Sequence, residues 1–291
     1  MNNILEVKGL SKKYKDSDFA IRDINFSLPA GVIMGFVGEN GAGKSTTINC
    51  ILNTIIKDEG SVQVFGREMT DDTIDIRDDI GVVYDSNSFP THLTPAQISS
   101  SMKYIYSKWD DGLFKEYLAK FKLPASQKIK TFSRGMTMKL GVAVALSHHP
   151  KLLLLDEATS GLDPIMRDDI LDVFLDFVQD ENRSILLSSH ITSDLEKVAD
   201  YITFIHEGRI IFSETKDNLI YNYGVMRCKA AQFEQINKED FLAFRRHDYQ
   251  IDVLVEDRQL AQRKYPNVIM DNVAIEDIML MLVKGEKIGE K

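Results

Sequence analysis

The sequence predicts an α/β fold with a mixed sheet, a helical subdomain and a small α+β appendage at the C-terminus. Three observations lead to this prediction. An apolar run over residues 32–37 is typical of a buried strand, and a glycine-rich segment and a helical pattern follow it. Two further apolar strands, residues 152–155 and 185–187, end in polar residues. After about residue 215, short strand and helix patterns alternate.

The glycine-rich segment has the residues of a phosphate-binding loop. Residues 38–45 read Gly-Glu-Asn-Gly-Ala-Gly-Lys-Ser. Glycines let successive backbone N–H groups converge on phosphate oxygens, and the following helix adds the positive end of its dipole. The alternative, a glycine-rich turn with a solvated lysine, does not account for the strand and the helix on either side. The residues predicted to contact a nucleoside triphosphate are Gly38, Asn40, Gly41, Ala42, Gly43, Lys44, Ser45 and Thr46.

Within this loop, two side chains have specific expected tasks. Lys44 follows the last glycine of the loop and is placed to reach the β- and γ-phosphates. The hydroxyl of Ser45 is an oxygen ligand of the kind that Mg²⁺ prefers. The loop therefore predicts a bound triphosphate with its metal ion.

Two downstream strands carry residues expected to act on that triphosphate. Asp156 and Glu157 directly follow the first, and we expect Asp156 to hold Mg²⁺ and Glu157 to orient and polarise the attacking water. A helix-capping turn is the alternative for this pair. His190 ends the second strand and is expected to contact the γ-phosphate. The alternative is a packed or surface histidine, with Asp194 capping the next helix.

Composition and charge argue against several classes of protein. The chain has 291 residues, more than one α/β domain needs, so a main domain with an appendage is expected. Its 35 Lys and Arg against 44 Asp and Glu give a net charge of -9, which argues against a nucleic-acid partner. Cys50 and Cys228 suit packing roles in a reducing cytoplasm. No export signal and no membrane-spanning stretch is evident.

Together these motifs resemble the ATPase subunit of an ABC transporter, over roughly residues 1–215. The resemblance implies an ATP ligand, a Mg²⁺ cofactor and catalytic roles for Glu157 and His190. It also implies an ATP-dependent dimer with a second ATPase subunit. A transmembrane permease subunit would hold that dimer at the cytoplasmic face of the cell membrane. The remaining residues that the resemblance assigns to nucleotide binding are Tyr14 against adenine, Asp163 in the D-loop of residues 160–163, and Ser133, Arg134 and Gly135 in the signature.

Some of these assignments have open alternatives. Tyr14 is equally compatible with a place at a strand edge. In the family the signature serves the nucleotide of the partner subunit, and here it reads Phe-Ser-Arg-Gly-Met over residues 132–136. Arg134 replaces a glycine. It either adds positive charge near the triphosphate, or points into solvent or towards an acidic residue across the dimer.

A second departure lies after the strand of residues 80–84, where the family usually has a glutamine. This chain has Asp85, which we place among the metal-binding residues with Ser45 and Asp156. A carboxylate accepts hydrogen bonds from metal-bound water but cannot donate as an amide does. We therefore expect Asp85 to change the rate or the metal dependence of hydrolysis without abolishing it.

The remaining segments suggest accessory roles. A helical subdomain is expected at about residues 89–150, with helices starting at 94–95, over 109–122 and over 137–148. Its aromatic residues Tyr104, Tyr106 and Trp109 would line a groove for the permease, or alternatively form a small helical core. The appendage, residues 216–291, would be a lid, a dimerisation element or, less in keeping with its residues, a ligand sensor. We expect strands at 225–229, 249–255 and 268–271 and helices at 238–246, 258–264 and 275–283.

The narrower resemblance is to a bacterial subgroup that serves small exporters of antibiotics, bacitracin-like compounds and cytotoxic peptides such as phenol-soluble modulins. The function expected from it is ATP hydrolysis that powers export of a peptide or antibiotic-like substrate. The alternatives are a nucleotide-dependent regulatory module with weak hydrolysis, an importer ATPase, and a non-transport relative acting on ribosomes or DNA.

Overall fold

The computed structural model describes residues 3–15, 17–85 and 89–286. The outermost residues of the two expected domains, 1–2 and 287–291, lie outside the described residues. The chain divides into two compact units, Met1–Ser213 and Glu214–Lys291, so the division falls two residues before the predicted boundary. Each unit has its own sheet structure. None of the helices in the described part of the chain has the length and apolar character needed to span a bilayer.

The strands of the described residues are numbered in chain order. They are β1 (Asn3–Lys13), β2 (Ala20–Pro29), β3 (Ile33–Val37), β4 (Glu59–Val64), β5 (Arg67–Glu68), β6 (Ile80–Tyr84), β7 (Leu152–Asp156), β8 (Ser184–Ser189), β9 (Tyr201–His206), β10 (Arg209–Thr215), β11 (Gly224–Cys228), β12 (Ala243–Arg246), β13 (Ile251–Val255) and β14 (Ile269–Asp271).

The helices are numbered in the same way. They are α1 (Lys44–Ile51), α2 (Ile74–Arg77), α3 (Pro95–Met102), α4 (Asp111–Lys120), α5 (Arg134–Leu146), α6 (Pro164–Phe177), α7 (Thr192–Val198), α8 (Lys216–Tyr221), α9 (Ala230–Phe233), α10 (Arg258–Lys264) and α11 (Ile275–Lys284). Single 3₁₀ turns form at Ile129–Thr131 and Lys238–Asp240.

The first unit contains two sheets, and the predicted α/β class is confirmed. One sheet is antiparallel in the order β2-β1-β4-β5, and the other has six strands in the order β10-β9-β3-β8-β7-β6. Strands β9, β3, β8, β7 and β6 run parallel. Their last residues are in register, since Val37 pairs with Ser189 and Asp156 pairs with Tyr84 and Ser188. The segments after these strands therefore emerge at one edge of the sheet.

The two sheets share an apolar core. The rings of Phe26 on β2 and Phe36 on β3 stack with centroids 5.5 Å apart. All five residues of β3 and of β7 are buried, as expected for strands covered on both faces. Burial of these strands fixes the edge on which the polar segments lie.

Capping residues and backbone conformation determine where several helices begin and end. The Thr94 hydroxyl accepts from the Gln97 N–H, with Pro95 in the first helical turn, so α3 starts at the predicted position. The second predicted helix begins later than residue 109 because the Asp110 carboxylate caps it by accepting from Leu113 N–H. The helix predicted after the glycine-rich segment ends at Ile51, and Asn53 beyond its end has a left-handed φ of 53°.

The second unit has an antiparallel sheet in the order β12-β13-β11-β14. The helix predicted over residues 238–246 is wrong. A 3₁₀ turn ends at Asp240, and Ala243–Arg246 form β12 along β13. Tertiary packing overrides helix propensity here, because the strand places Phe244 against Phe233, with ring centroids 4.7 Å apart.

Both cysteines are buried and free, one in each unit. Cys50 lies on α1 and Cys228 on β11. Burial raises the pKa of each thiol to about 11. The packing roles predicted for them agree with this burial.

Removing the Phe36 ring should test the shared core. Phe36 is fully buried and stacks on Phe26, so we expect Phe36→Ala to lower the free energy of unfolding by about 3–5 kcal/mol. The measurement is urea unfolding followed by circular dichroism. Tyr104→Ala, at a side chain that is 92% exposed, is the control and should change stability by less than about 0.5 kcal/mol. A loss below about 1 kcal/mol for Phe36→Ala would contradict the packing of the two sheets.

Candidate active site

The phosphate-binding loop lies between β3 and α1 and requires glycine at two positions. A Cβ added to Gly38 would lie 2.4 Å from the carbonyl oxygen of Ile205. Gly43 has a φ of 117°, and a Cβ there would lie 2.6 Å from Cγ2 of Ile21. The loop is thus packed against β2 and β9, and a side chain at either position would push it off its support.

The ammonium group of Lys44 is held inside this loop. Lys44 is 5% exposed, and its Nζ donates to the carbonyl oxygens of Gly38 at 2.7 Å and Glu39 at 3.2 Å. Nζ also lies 3.0 Å from Oε1 of Glu157. A buried ammonium needs such oxygen partners to offset the loss of water. The side chain of Lys44 therefore lies within the loop, in contact with its carbonyl oxygens.

The other loop residues surround the start of α1. Asn40, Gly41 and Ser45 are exposed, whereas Ala42 is buried. The hydroxyl oxygen of Thr46 lies 3.4 Å from that of half-buried Tyr14. Tyr14 is therefore brought beside the loop, as both of its sequence interpretations allow.

Glu157 connects the loop with the end of β8. Its Oε2 lies 2.6 Å from Nδ1 of His190, and its Oε1 faces Lys44. The buried Oε1 atom thus faces the ammonium group of Lys44, while Oε2 faces the imidazole of His190. The predicted pair Glu157 and His190 thus meet Lys44 in one cluster, although Lys44 and Glu157 lie 113 positions apart in the sequence.

Ser188 organises the acidic pair, a role that sequence reasoning missed. Its hydroxyl donates to Asp156 Oδ1 at 2.7 Å and accepts from the Glu157 N–H at 3.2 Å. Glu157 has a left-handed φ of 55°, which is unusual for a residue with a Cβ. A hydroxyl in a fully buried strand needs a partner, so a serine that directly follows the apolar run of residues 185–187 was the available signal.

Tyr84 is a second residue that the sequence did not single out. Its hydroxyl donates to Asn49 Oδ1 on α1 at 3.3 Å. Burial, and then the negative charge of Asp156, raise the pKa of Tyr84. Tyr84 therefore remains a neutral hydrogen-bonding group beside the carboxylate.

The signature residues form a separate group at the starts of α5 and α6. Ser133 caps α5 by accepting from Met136 N–H at 3.2 Å, and Asp163 caps α6 by accepting from Ile165 and Met166 N–H. Gly135 is buried beside Met166, whose sulfur would be 2.4 Å from an added Cβ. The two helix starts are thus adjacent.

Arg134 and Asp85 form an ion pair within this chain. None of the alternatives predicted for Arg134 describes this contact, because its acidic partner belongs to its own chain. Asp85 therefore has a cationic partner in addition to the metal role predicted for it. In the described part of the chain, no hydrogen bond or ion pair joins the signature group to the cluster around Lys44.

Arg167 links the D-loop to the helix that follows His190. Its Nη2 donates to the Leu162 carbonyl at 3.2 Å, and its Nη1 lies 3.5 Å from Asp194. Asp194 is 2% exposed and lies in the first turn of α7. Its partner is thus a guanidinium on another helix, which sequence spacing alone did not indicate.

Comparisons with known proteins agree with this geometry. A family model described as ABC transporter matches residues 21–160. The bacitracin transport ATP-binding protein of Bacillus licheniformis is 34% identical over 224 residues, which cover 75% of this chain and 72% of that protein. The lantibiotic transport ATP-binding protein of Streptococcus pyogenes is 34% identical over 218 residues, covering 74% of this chain and 92% of that protein.

Solved structures show the same likeness. An ATP-binding subunit of an ABC transporter matches with a TM-score of 0.65 and 27% identity, over 74% of this chain and 91% of that chain. A dimeric ATP-binding cassette in a post-hydrolysis state with ADP and Pi also matches with a TM-score of 0.65. It is 22% identical, covers 72% of this chain and 98% of that chain, and shows the fold alone. The chain therefore belongs to the ABC transporter family, as one of its ATP-binding subunits.

Proposed function

We propose that this chain powers export of a peptide or antibiotic-like substrate through a separate membrane subunit. The observation that carries the proposal is the carboxylate of Glu157, which lies between Lys44 and His190 at 3.0 and 2.6 Å. The relatives that transport bacitracin and lantibiotics support the class of substrate. Two copies of the chain, or this chain with a second ATPase subunit, would form the working dimer.

The residues at the sheet edge fit ATP with Mg²⁺. Gly38 and Gly43 let the loop lie against β9 and β2, where an added Cβ would clash, and the backbone N–H groups of such a glycine-rich loop can bind phosphate oxygens. The hydroxyl of Ser45 and the carboxylate of Asp156 are hard oxygen donors suited to Mg²⁺. When bound, this ion would neutralise charge on the β- and γ-phosphates. Asp85 stays a candidate third metal group, although Arg134 competes for its carboxylate.

In the proposed reaction, Glu157 accepts a hydrogen bond from the attacking water and polarises it. The water oxygen bonds to the γ-phosphorus while the bond to the leaving oxygen of ADP breaks, and the proton of water ends on phosphate. His190 orients the Glu157 carboxylate through Nδ1 and would contact the γ-phosphate. Lys44 exchanges part of its contact with the loop carbonyls for phosphate oxygens. Tyr14 would stack on the adenine.

A nucleotide-dependent regulatory module with weak hydrolysis is the second candidate, because Asp85 and Arg134 both depart from the family pattern. The signature group of one subunit, Ser133, Arg134, Gly135 and Asp163, would complete the site of the other in either case. The retained Glu157 favours the enzyme. The two candidates differ in whether loss of this carboxylate changes turnover.

An aromatic and aliphatic cleft of about 530 Å³ supports the proposed docking of a membrane subunit. Its apolar lining includes Ile74, Val82, Tyr84, Ile105 and Tyr106, and exposed apolar patches rimmed by polar residues mark interaction sites. The charged residues of its lining are Asp75, Arg77 and Asp78. Ile74 and Ile105 are 70% and 64% exposed. We propose that a cytoplasmic helix of the permease fills this cleft and brings the chain to the cytoplasmic face of the membrane.

The sequence allows two interpretations of Tyr104, Tyr106 and Trp109, a groove for the permease and a small helical core. The contacts of these residues differ. Trp109 belongs to the small helical core, since its Nε1 donates to Ser99 and its ring lies 5.3 Å from that of Phe114. Tyr106 stacks on His148 with centroids 3.9 Å apart and also lines the cleft. Tyr104 is 92% exposed.

The variant Glu157→Gln tests the enzyme proposal. Gln keeps the shape of the side chain but cannot polarise water as a carboxylate does, so we expect steady-state ATPase activity to fall by about a hundredfold or more. With ATP, the variant should elute as a stable dimer in size-exclusion chromatography. Glu181→Gln, at an exposed residue, is the matched control and should retain activity. A Glu157→Gln protein that neither dimerises with ATP nor loses turnover would favour the regulatory module.

The variant Ile105→Asp tests the docking cleft. A carboxylate on this exposed apolar position should weaken association with a membrane protein encoded by a neighbouring reading frame by about tenfold or more, because its desolvation opposes apolar contact. The measurement is co-purification from detergent-solubilised membranes after co-expression. Leu260→Asp, at a 58% exposed position in the second unit, is the control. Equal recovery of the membrane protein with both variants would argue against the cleft.

A further inference from the structure

The two residues that depart from the family pattern face each other. Arg134 is the first residue of α5, and Asp85 is the first residue after β6. The Nη2 atom of Arg134 donates to Oδ1 of Asp85, although 49 residues separate them in the sequence. The side chains are 54% and 49% exposed, so water reaches both of them. A positive charge at the start of α5 therefore meets a negative charge at the end of β6.

Arg134 also contacts the D-loop turn. Gly161 has a left-handed φ of 68°, and a Cβ added to it would lie 2.8 Å from Nη1 of Arg134. The guanidinium thus covers the backbone of the turn that leads to Asp163. One side chain at the start of α5 touches the segments that follow β6 and β7. Both of these segments adjoin the proposed ATPase site.

The opposite charges of Asp85 and Arg134 determine how the two side chains would act on a nearby nucleotide. An isolated Asp85 carboxylate would repel a nearby triphosphate, and an isolated Arg134 would attract one, because a guanidinium stays charged at all physiological pH values. Paired, the two groups have no net charge. Neither then needs to act on the nucleotide through its own charge.

We propose that Asp85 and Arg134 are a matched pair of positioning residues. The pair fixes the start of α5, with Ser133 and Gly135, against the end of β6 and the Gly161 turn. This proposal rests on the proposed ATPase function and identifies how its signature group is held. It differs from the two separate roles predicted from the sequence, a metal role for Asp85 and a role for Arg134 at the partner's nucleotide. If Asp85 and Arg134 had separate roles, the effects of substituting them would be independent of each other. If they act as a pair, these effects are coupled.

A double-mutant cycle on the full chain tests the pair. The four proteins are the wild type, Asp85→Asn, Arg134→Gln and the double variant, and kcat and KM for ATP are measured with Mg²⁺. We expect each single variant to lower kcat by about fivefold with little change in KM, and the double variant to be no slower than the slower single variant. The coupling should diminish between about 0.05 and 0.5 M salt, which an effect of side-chain shape would not do.

A second exposed ion pair is the matched control. Lys197 on α7 and Asp168 on α6 lie 3.0 Å apart and are 59% and 63% exposed. The cycle of Lys197→Gln and Asp168→Asn should leave kcat within about twofold in all variants. This control separates coupling at the signature from a general effect of lost surface charge.

Two results would contradict the proposal that Asp85 and Arg134 act as a pair. One is a double variant whose loss in kcat is the product of the two single losses. The other is a raised KM in Arg134→Gln with unchanged kinetics in Asp85→Asn, which would place Arg134 on the nucleotide. A wild type without turnover would instead refute the proposed function. In that case the free energy of unfolding in urea is measured for the same four proteins. Changes in this free energy that simply add in the double variant would contradict the proposed pair.

Discussion

The active site depends on the parallel alignment of β6, β7, β8 and β3. These strands end at a common level, so the segments that follow them meet although they are far apart in the sequence. A slip of one residue would turn every side chain of a strand to its other face. The buried apolar residues of β3 and β7 make such a slip costly. The core therefore sets the geometry in which Lys44 meets Glu157.

The acidic end of β7 shows how a polar group can be placed in a tightly packed interior. Asp156 is 6% exposed and Glu157 has a left-handed backbone, two features that each cost stability. The Ser188 hydroxyl offsets both costs, because it bonds the carboxylate of Asp156 and the backbone N–H of Glu157. Strained conformations persist where neighbouring groups over-determine them. The backbone of Glu157 is thus held from the adjacent strand.

Much of the fold and of the candidate site could be predicted from the sequence, because the signals lie in short segments of it. The signals for the loop at residues 38–43, the end of β7 at Asp156 and the position of His190 just after β8 each lie within a few residues. The same holds for the caps at Thr94 and Asp163. Contacts between distant segments could not be read in this way. The pairing of Arg134 with Asp85 depends on how α5 packs beside β6, and Arg167 finds Asp194 on another helix. The false helix at residues 238–246 has the same origin, since β13 supplies the partner that makes a strand.

The burial of the two thiols has a practical consequence. With a pKa of about 11, Cys50 and Cys228 carry roughly one part in ten thousand of reactive thiolate at neutral pH, and both are shielded from reagents. Maleimide dyes should therefore spare them in the folded protein. A single cysteine introduced on an exposed surface would accept a fluorophore or spin label in the otherwise native background, so distance changes during nucleotide turnover become measurable without first removing either natural cysteine.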